Sequence, residues 1–158
     1  MTRYLLLISL LFVLSACDEQ RVYEKNVDLK DNLWYIDTIP SFTFRIEDAS
    51  RPYNLYYNVR NAVSYPYYNL YVTYFLQDSA GKVLQSRQQQ LLLADATTGK
   101  PLGDGLGDIY DHQILSSQNY RFPGKGTYTF RIKQYMRQDP LPAIMSVGVR
   151  VEKAEKDK

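Results

Sequence analysis

Polar and apolar residues alternate with a period of two along much of this chain, the signature of strands with one face in a core and one in water. Ser41 to Glu47 sets Phe42, Phe44 and Ile46 against Thr43, Arg45 and Glu47. Tyr53 to Arg60 sets Tyr53, Leu55, Tyr57 and Val59 against Asn54, Tyr56, Asn58 and Arg60. Thr127 to Lys133 turns Tyr128, Phe130 and Ile132 inward, and Met145 to Glu152 does the same with Met145, Val147, Val149 and Val151. Asn69 to Gln77 is apolar on both sides, as in a central strand, and Val83 to Leu93 reads as a longer and weaker strand.

Turn signals separate these runs: Asp48-Ala49-Ser50-Arg51-Pro52, Tyr65-Pro66, Asp78-Ser79-Ala80-Gly81, Pro123-Gly124-Lys125-Gly126 and Asp139-Pro140-Leu141-Pro142. No segment carries a long helical stripe, and a parallel sheet would need crossover helices. The pattern predicts an all-β fold, an antiparallel β-sandwich of immunoglobulin-like type, over residues 33–152. Gly126-Thr127-Tyr128-Thr129-Phe130 is similar to the Gly-x-Tyr-x-Cys stretch of such sandwiches, with Tyr128 as the corner and Phe130 in place of the second Cys. At 158 residues the chain holds one domain of ordinary size.

The first 17 residues follow another pattern. Arg3 gives a positive start, Tyr4 to Leu14 is an apolar run, and Leu14-Ser15-Ala16-Cys17 matches the bacterial lipobox. The run is 11 residues long, about half the roughly 20 that a membrane-spanning helix needs. Residues 1–16 are therefore expected to be a lipoprotein signal peptide, and Cys17 the acylated residue at the mature N-terminus. Two or three acyl chains hold a protein on a membrane where one does not. From Asp18 to Asn32, eight of fifteen residues are charged, so residues 17–32 read as a lipidated tether, part of which, around Val22 and Tyr23, could instead add a first strand. The tail 153–158 reads as a charged, solvated end.

Charge and rare residues narrow the chemistry. Nineteen Lys and Arg against seventeen Asp and Glu leave +2, too little for a nucleic-acid binder or a polybasic membrane patch. One His and one Cys supply neither a zinc site nor a Cys/His catalytic pair. The segment Gly99 to Asp108 fails as a P-loop, because Pro101 follows Lys100 and no Ser or Thr does. Asp104, Asp108 and Asp111 offer carboxylates to calcium, but without EF-hand spacing, and no metal or cofactor is expected. His112, next to no nucleophile motif, reads as a surface or rim residue, and the chain as no enzyme.

Tyrosine is the unusual residue. Eight of the fifteen lie between positions 53 and 74. Alternation turns Tyr53, Tyr57 and Tyr74 inward, and leaves Tyr56 and Tyr71 outward with Tyr65, Tyr67 and Tyr68 in a turn. Tyr65, Tyr67, Tyr68 and Tyr71 are the candidate binding residues, for exposed tyrosines suit protein interfaces and sugar stacking alike. Plain cross-strand aromatic pairing is the competing account.

The order of features resembles the gliding-motility lipoprotein H family (GldH) of the Bacteroidota. The blocks that carry the likeness begin with the signal peptide and lipobox, Asp18-Glu19 and Arg21-Val22-Tyr23. Leu33-Trp34, Phe42 to Asp48, Tyr53-Asn54-Leu55 to Arg60-Asn61, and Tyr65 to Tyr71 continue it. Gly81-Lys82-Val83, Leu102 to Tyr110, Phe122 to Phe130 and Gln134-Tyr135-Met136-Arg137 complete it. The resemblance implies a non-enzymatic outer-membrane lipoprotein, an accessory or assembly component of gliding motility and type IX secretion. Its partners would be the membrane, through the lipid anchor, and other proteins of that machinery, and it brings no catalytic residue. A carbohydrate-binding surface lipoprotein that uses its exposed tyrosines is the alternative. The acidic residues after Cys17 are similar to a weak surface-export signal and leave the membrane face open.

Overall fold

The computed structural model describes residues 18–155, so the signal peptide and Cys17 lie outside the described residues. The strands are β1 (Arg21–Asp28), β2 (Leu33–Trp34), β3 (Ser41–Ile46), β4 (Tyr53–Ala62), β5 (Asn69–Gln77), β6 (Val83–Leu92), β7 (Asp104–Leu106), β8 (Ile109–Tyr120), β9 (Gly126–Gln134), β10 (Leu141–Pro142) and β11 (Ile144–Lys153). One sheet runs β1-β11-β4-β8-β7 and the other β3-β9-β5-β6, with a two-stranded pair of β10 and β2 beside them. Every strand pairing is antiparallel.

The two sheets enclose one core. Tyr57 of β4 meets Tyr74 of β5 and Phe130 of β9 edge-on, joining the layers through aromatic rings. Phe42, Trp34, Leu55, Leu76, Ile132 and Val149 fill the space around them, all buried. Buried polar groups between the sheets are paired: the Tyr57 hydroxyl donates to Gln89 Oε1 at 2.6 Å, and Gln89 Nε2 donates to the Ser116 carbonyl at 3.2 Å. Tyr128 forms the expected corner, its hydroxyl donating to the Gly124 carbonyl at 2.6 Å.

The N-terminal boundary differs from the sequence expectation. Residues 21–28, read as part of a tether, are strand β1 at the edge of the five-stranded sheet, paired with β11 from Arg21↔Glu152 to Asp28↔Ser146. Tyr23 packs its ring 5.5 Å from Phe44 of the opposite sheet. Of the strand's charges, Glu24 and Asp28 lie on the outer side, where Glu24 pairs with Arg21 and Arg150, and Lys25 stands on the face of Tyr23 and Val27 but is exposed; charged side chains are how an edge strand resists unwanted pairing. The sandwich therefore begins with β1 at Arg21, and the start of the segment read as a solvated tail also belongs to it: Lys153 closes β11 and Ala154 is buried, its amide donating to the Pro52 carbonyl at 3.0 Å.

The glycine-rich segment has structural reasons. Gly107 opens the two-residue turn between β7 and β8 with φ +62°, where a side chain would be strained. A Cβ on Gly103 would come within 2.8 Å of the His112 ring. Gly103 thus roofs His112, which is 6% exposed and hydrogen-bonded through Nε2 to Asn61 Oδ1 at 2.8 Å. This corrects the surface reading of His112: it is an interior residue, and burial holds its pKa below the ordinary imidazole value despite Asp111 and Asp104 nearby. Asp104 and Asp111 are cross-strand neighbours, Asp111 is bound by Arg60 at 2.7 Å, and Asp108 sits in the turn.

Candidate functional site: an aromatic end of the sandwich

The connection from β4 to β5 carries three of the four candidate tyrosines, and its backbone decides which reach solvent. The Tyr65 amide donates to the Ala62 carbonyl at 3.0 Å, closing a turn that drives the Tyr65 ring into the core. There the hydroxyl donates to the Asn69 carbonyl at 2.9 Å. Tyr65 is only 8% exposed, and burial holds its phenol protonated far above the ordinary range. Tyr65 is thus a core residue and not part of an exposed set, which corrects its assignment as a binding residue.

Tyr67, Tyr68 and Tyr71 are exposed, at 39%, 43% and 37%. They do not share one surface. Tyr68, whose carbonyl accepts from the Leu93 and Ala94 amides at 2.8 and 2.9 Å, faces a cleft of about 220 Å³ with Val63, Pro66, Ala94 and Pro101. Tyr71 lies on the outer face of β5, in a shallow groove of about 300 Å³ lined by Tyr67, Tyr71, Tyr135, Met136 and Arg137. Tyr67 borders both.

The groove is held by a compact set of hydrogen bonds. Tyr135 donates its amide to the Tyr71 carbonyl at 2.8 Å, and the Tyr71 amide points at Met136 Sδ at 3.3 Å. Gln134, fully buried, accepts from the Met136 amide at 2.7 Å and donates to the Gln138 carbonyl at 3.3 Å. Gln138 Oε1 in turn accepts from the Tyr67 hydroxyl at 2.8 Å. The Tyr67 ring is fixed further by an edge-on contact with Tyr65, centroids 5.7 Å apart. One buried glutamine therefore orders the Tyr135–Gln138 segment and, through it, one wall of the groove.

Tyr135, Met136 and Arg137 are the site residues that single-strand patterning missed. Continuing the alternation of β9 past Lys133 places Tyr135 outward, but only the β5–β9 register sets it beside Tyr71. The composition of the groove, three tyrosines, a methionine and an arginine, is that of the centre of a protein interface, where these types are enriched and carboxylates depleted. Among the described residues, no cluster of three or more His, Cys, Asp or Glu is arranged to hold a metal ion.

These features define the class of protein: an all-β, antiparallel two-sheet sandwich with a preformed aromatic groove at one end. The sequence model of the GldH lipoprotein family matches residues 21–151, and the chain belongs to that family. It is 28% identical over 152 residues to the gliding motility lipoprotein GldH homolog of Christiangramia forsetii, covering 92% of this chain and 91% of that protein. It is also 28% identical over 151 residues to the gliding motility lipoprotein GldH of Flavobacterium johnsoniae, covering 90% and 91%. Among solved structures, an arabinose-bound α-L-arabinofuranosidase matches 81% of this chain and 19% of its own, at 12% identity and a TM-score of 0.38. So low a score carries no argument about fold or activity.

Proposed function

We propose that this protein is a non-enzymatic outer-membrane lipoprotein, an accessory or assembly component of the gliding motility and type IX secretion machinery that works by protein contacts from a lipid anchor on Cys17. The observation that carries this reading is the groove of Tyr67, Tyr71, Tyr135, Met136 and Arg137, apolar, exposed and held by hydrogen bonds through Gln134 and Gln138, since side chains already fixed in place lose little entropy on binding. Family membership supports the setting, because its relatives are named for gliding motility.

A photo-crosslinking residue in place of Tyr71, followed by mass spectrometry of the crosslinked products, tests the contact. One protein of the envelope machinery recovered at this position, and not from a crosslinker at Gln113 on the opposite sheet, is the expected result. Equal recovery from both positions would sink the reading. For the anchor, Cys17→Ala is expected to abolish palmitate labelling and signal-peptide cleavage together, and normal labelling of that variant would end the lipoprotein assignment.

A further inference from the structure

The two outer faces of the sandwich differ in charge, which the net +2 of the chain conceals. Glu24, Asp28, Asp104 and Asp111 stand on the outer face of the five-stranded sheet, and its three arginines are paired with carboxylates, Arg21 with Glu24, Arg60 with Asp111, and Arg150 with Glu24, Glu152 and Asp18. The four-stranded sheet is the reverse. Its β5–β9 register makes three outward rungs, Phe75 opposite Arg131, Thr73 opposite Lys133 and, one step on, Tyr71 beside Tyr135. The neighbouring β6 positions are Ser86, Gln88 and Gln90, all uncharged.

Among the described residues, Arg131, Lys133 and Arg137 are in no ion pair. The cation nearest the far edge, Arg45, is neutralised by Glu47 at 2.6 Å. Alternate residues of a strand lie about 7 Å apart, so Arg131 and Lys133 form a short cationic column that leads into the aromatic groove, with Arg137 at its end. Unpaired cations beside exposed aromatic rings form a surface that attracts anions over a Debye length and then buries ring area on contact.

We infer that this face, from Arg131 through Lys133 to the groove of Tyr71, Tyr135 and Arg137, docks an acidic polypeptide segment. The inference rests on the protein-contact reading above and adds the chemistry of the partner. A polypeptide fits better than an acidic sugar. Sugar sites need acceptors and amides for ring hydroxyls, whereas the groove holds no carboxylate and the Gln138 amide oxygen is already bound by Tyr67. The edge strand β6 adds a second reason. It is ten residues long, contains no proline and only Arg87 as a charge, so an extended chain can pair along its outer edge and continue this face as a further strand.

The test uses the full acylated lipoprotein in detergent and a fluorescent random Glu/Tyr copolymer as the probe, with polygalacturonate of matched charge as the second arm. Binding of the copolymer is expected to weaken steeply with salt, and R131E/K133E/R137E to raise Kd about tenfold or more. The milder R131Q/K133Q/R137Q should move Kd in the same direction if charge reversal disturbs folding. E24Q/D28N, on the opposite face, should leave Kd unchanged. An unchanged Kd in both triple variants overturns the proposal, and so does polygalacturonate binding as tightly as the copolymer. A salt-sensitive dimer of the lipoprotein that the charge reversal dissolves would give the face to a second copy and overturn it too. Photo-crosslinking from Tyr71 separates the two readings. A crosslinked protein that persists undiminished in R131E/K133E/R137E leaves the contact reading standing and removes this one. Charge-dependent copolymer binding with no crosslinked protein in cells removes the contact reading.

Discussion

The ring of Tyr74 lies parallel to that of Phe130, centroids 4.8 Å apart and planes 9° from one another. Tyr57 closes on both edge-on from the other sheet, so three fully buried rings form the joint between the layers. Phe130→Ala leaves a cavity at that joint and should cost about 3–5 kcal/mol, a large share of the 5–15 kcal/mol typical of a domain. Urea unfolding measures it, and a midpoint close to that of the unaltered protein would contradict this packing.

The four clustered tyrosines divide by burial into one structural and three surface residues, and stability experiments should divide them in the same way. Tyr65→Ser removes a buried ring and leaves the Asn69 carbonyl without its donor, with an expected loss of about 3 kcal/mol or more. Tyr65→Phe, which deletes only the hydroxyl, should cost about 1 kcal/mol. Joint replacement of Tyr67, Tyr68 and Tyr71 by Ser should shift thermal unfolding far less than Tyr65→Ser alone, and calorimetry on the two variants settles the order.

His112 makes stability depend on pH. It is interior and its folded-state pKa is depressed by burial, whereas in the unfolded chain it titrates near 6.5. As pH falls through that value the unfolded state takes up the proton first, so stability is full above it and is lost as pH descends toward the folded-state pKa. Asp111 and Asp104 act in the opposite sense and limit the loss. Carboxylates held low, such as Asp95 beneath the Thr98 and Thr97 amides, add their own decline only at more acidic pH. Unfolding midpoints between about pH 7.5 and 5 should therefore slope downward in the native protein and flatten in His112→Gln; identical slopes would show that the imidazole does not carry the effect.

Alternation was enough to place Phe42, Tyr57, Tyr74 and Phe130 in the core, because each strand's own pattern carries that information. It failed where pairing decides. The charged run at Arg21 to Asp28 reads as tether, with a first strand around Val22 and Tyr23 only as the alternative, because it holds few apolar residues; the whole run is a strand because β11 offers hydrogen bonds and Phe44 offers a surface for Tyr23. Likewise nothing local shows that Gly103 covers His112, that Tyr65 turns inward while Tyr67 and Tyr68 do not, or that Tyr135 stands beside Tyr71. Each is a contact between segments far apart in the chain.

With the proposed anchor on Cys17, the position of Asp18 would set how the domain stands on a membrane. Asp18 follows Cys17 by one peptide bond and is bound to Arg150 of β11, so few residues separate an acylated Cys17 from the sheet. Arg21 pairs with Glu152, Glu152 with Asn54, and β3 reaches β4 through a short turn after Ile46, which pairs with Gly126. Lys125 therefore lies at the same end as Asp18, whereas Tyr135 and Arg137 lie at the far end of β9, a nine-residue strand about 30 Å long. The aromatic groove should face away from the lipid. Cys17 is the sole cysteine, so once it is acylated a fluorophore can be placed on Lys125→Cys or Arg137→Cys alone. In vesicles carrying a headgroup acceptor, transfer from position 125 should be strong and transfer from position 137 weak. Equal transfer from both would mean that the sandwich lies flat, with the groove against the membrane and closed to any protein partner.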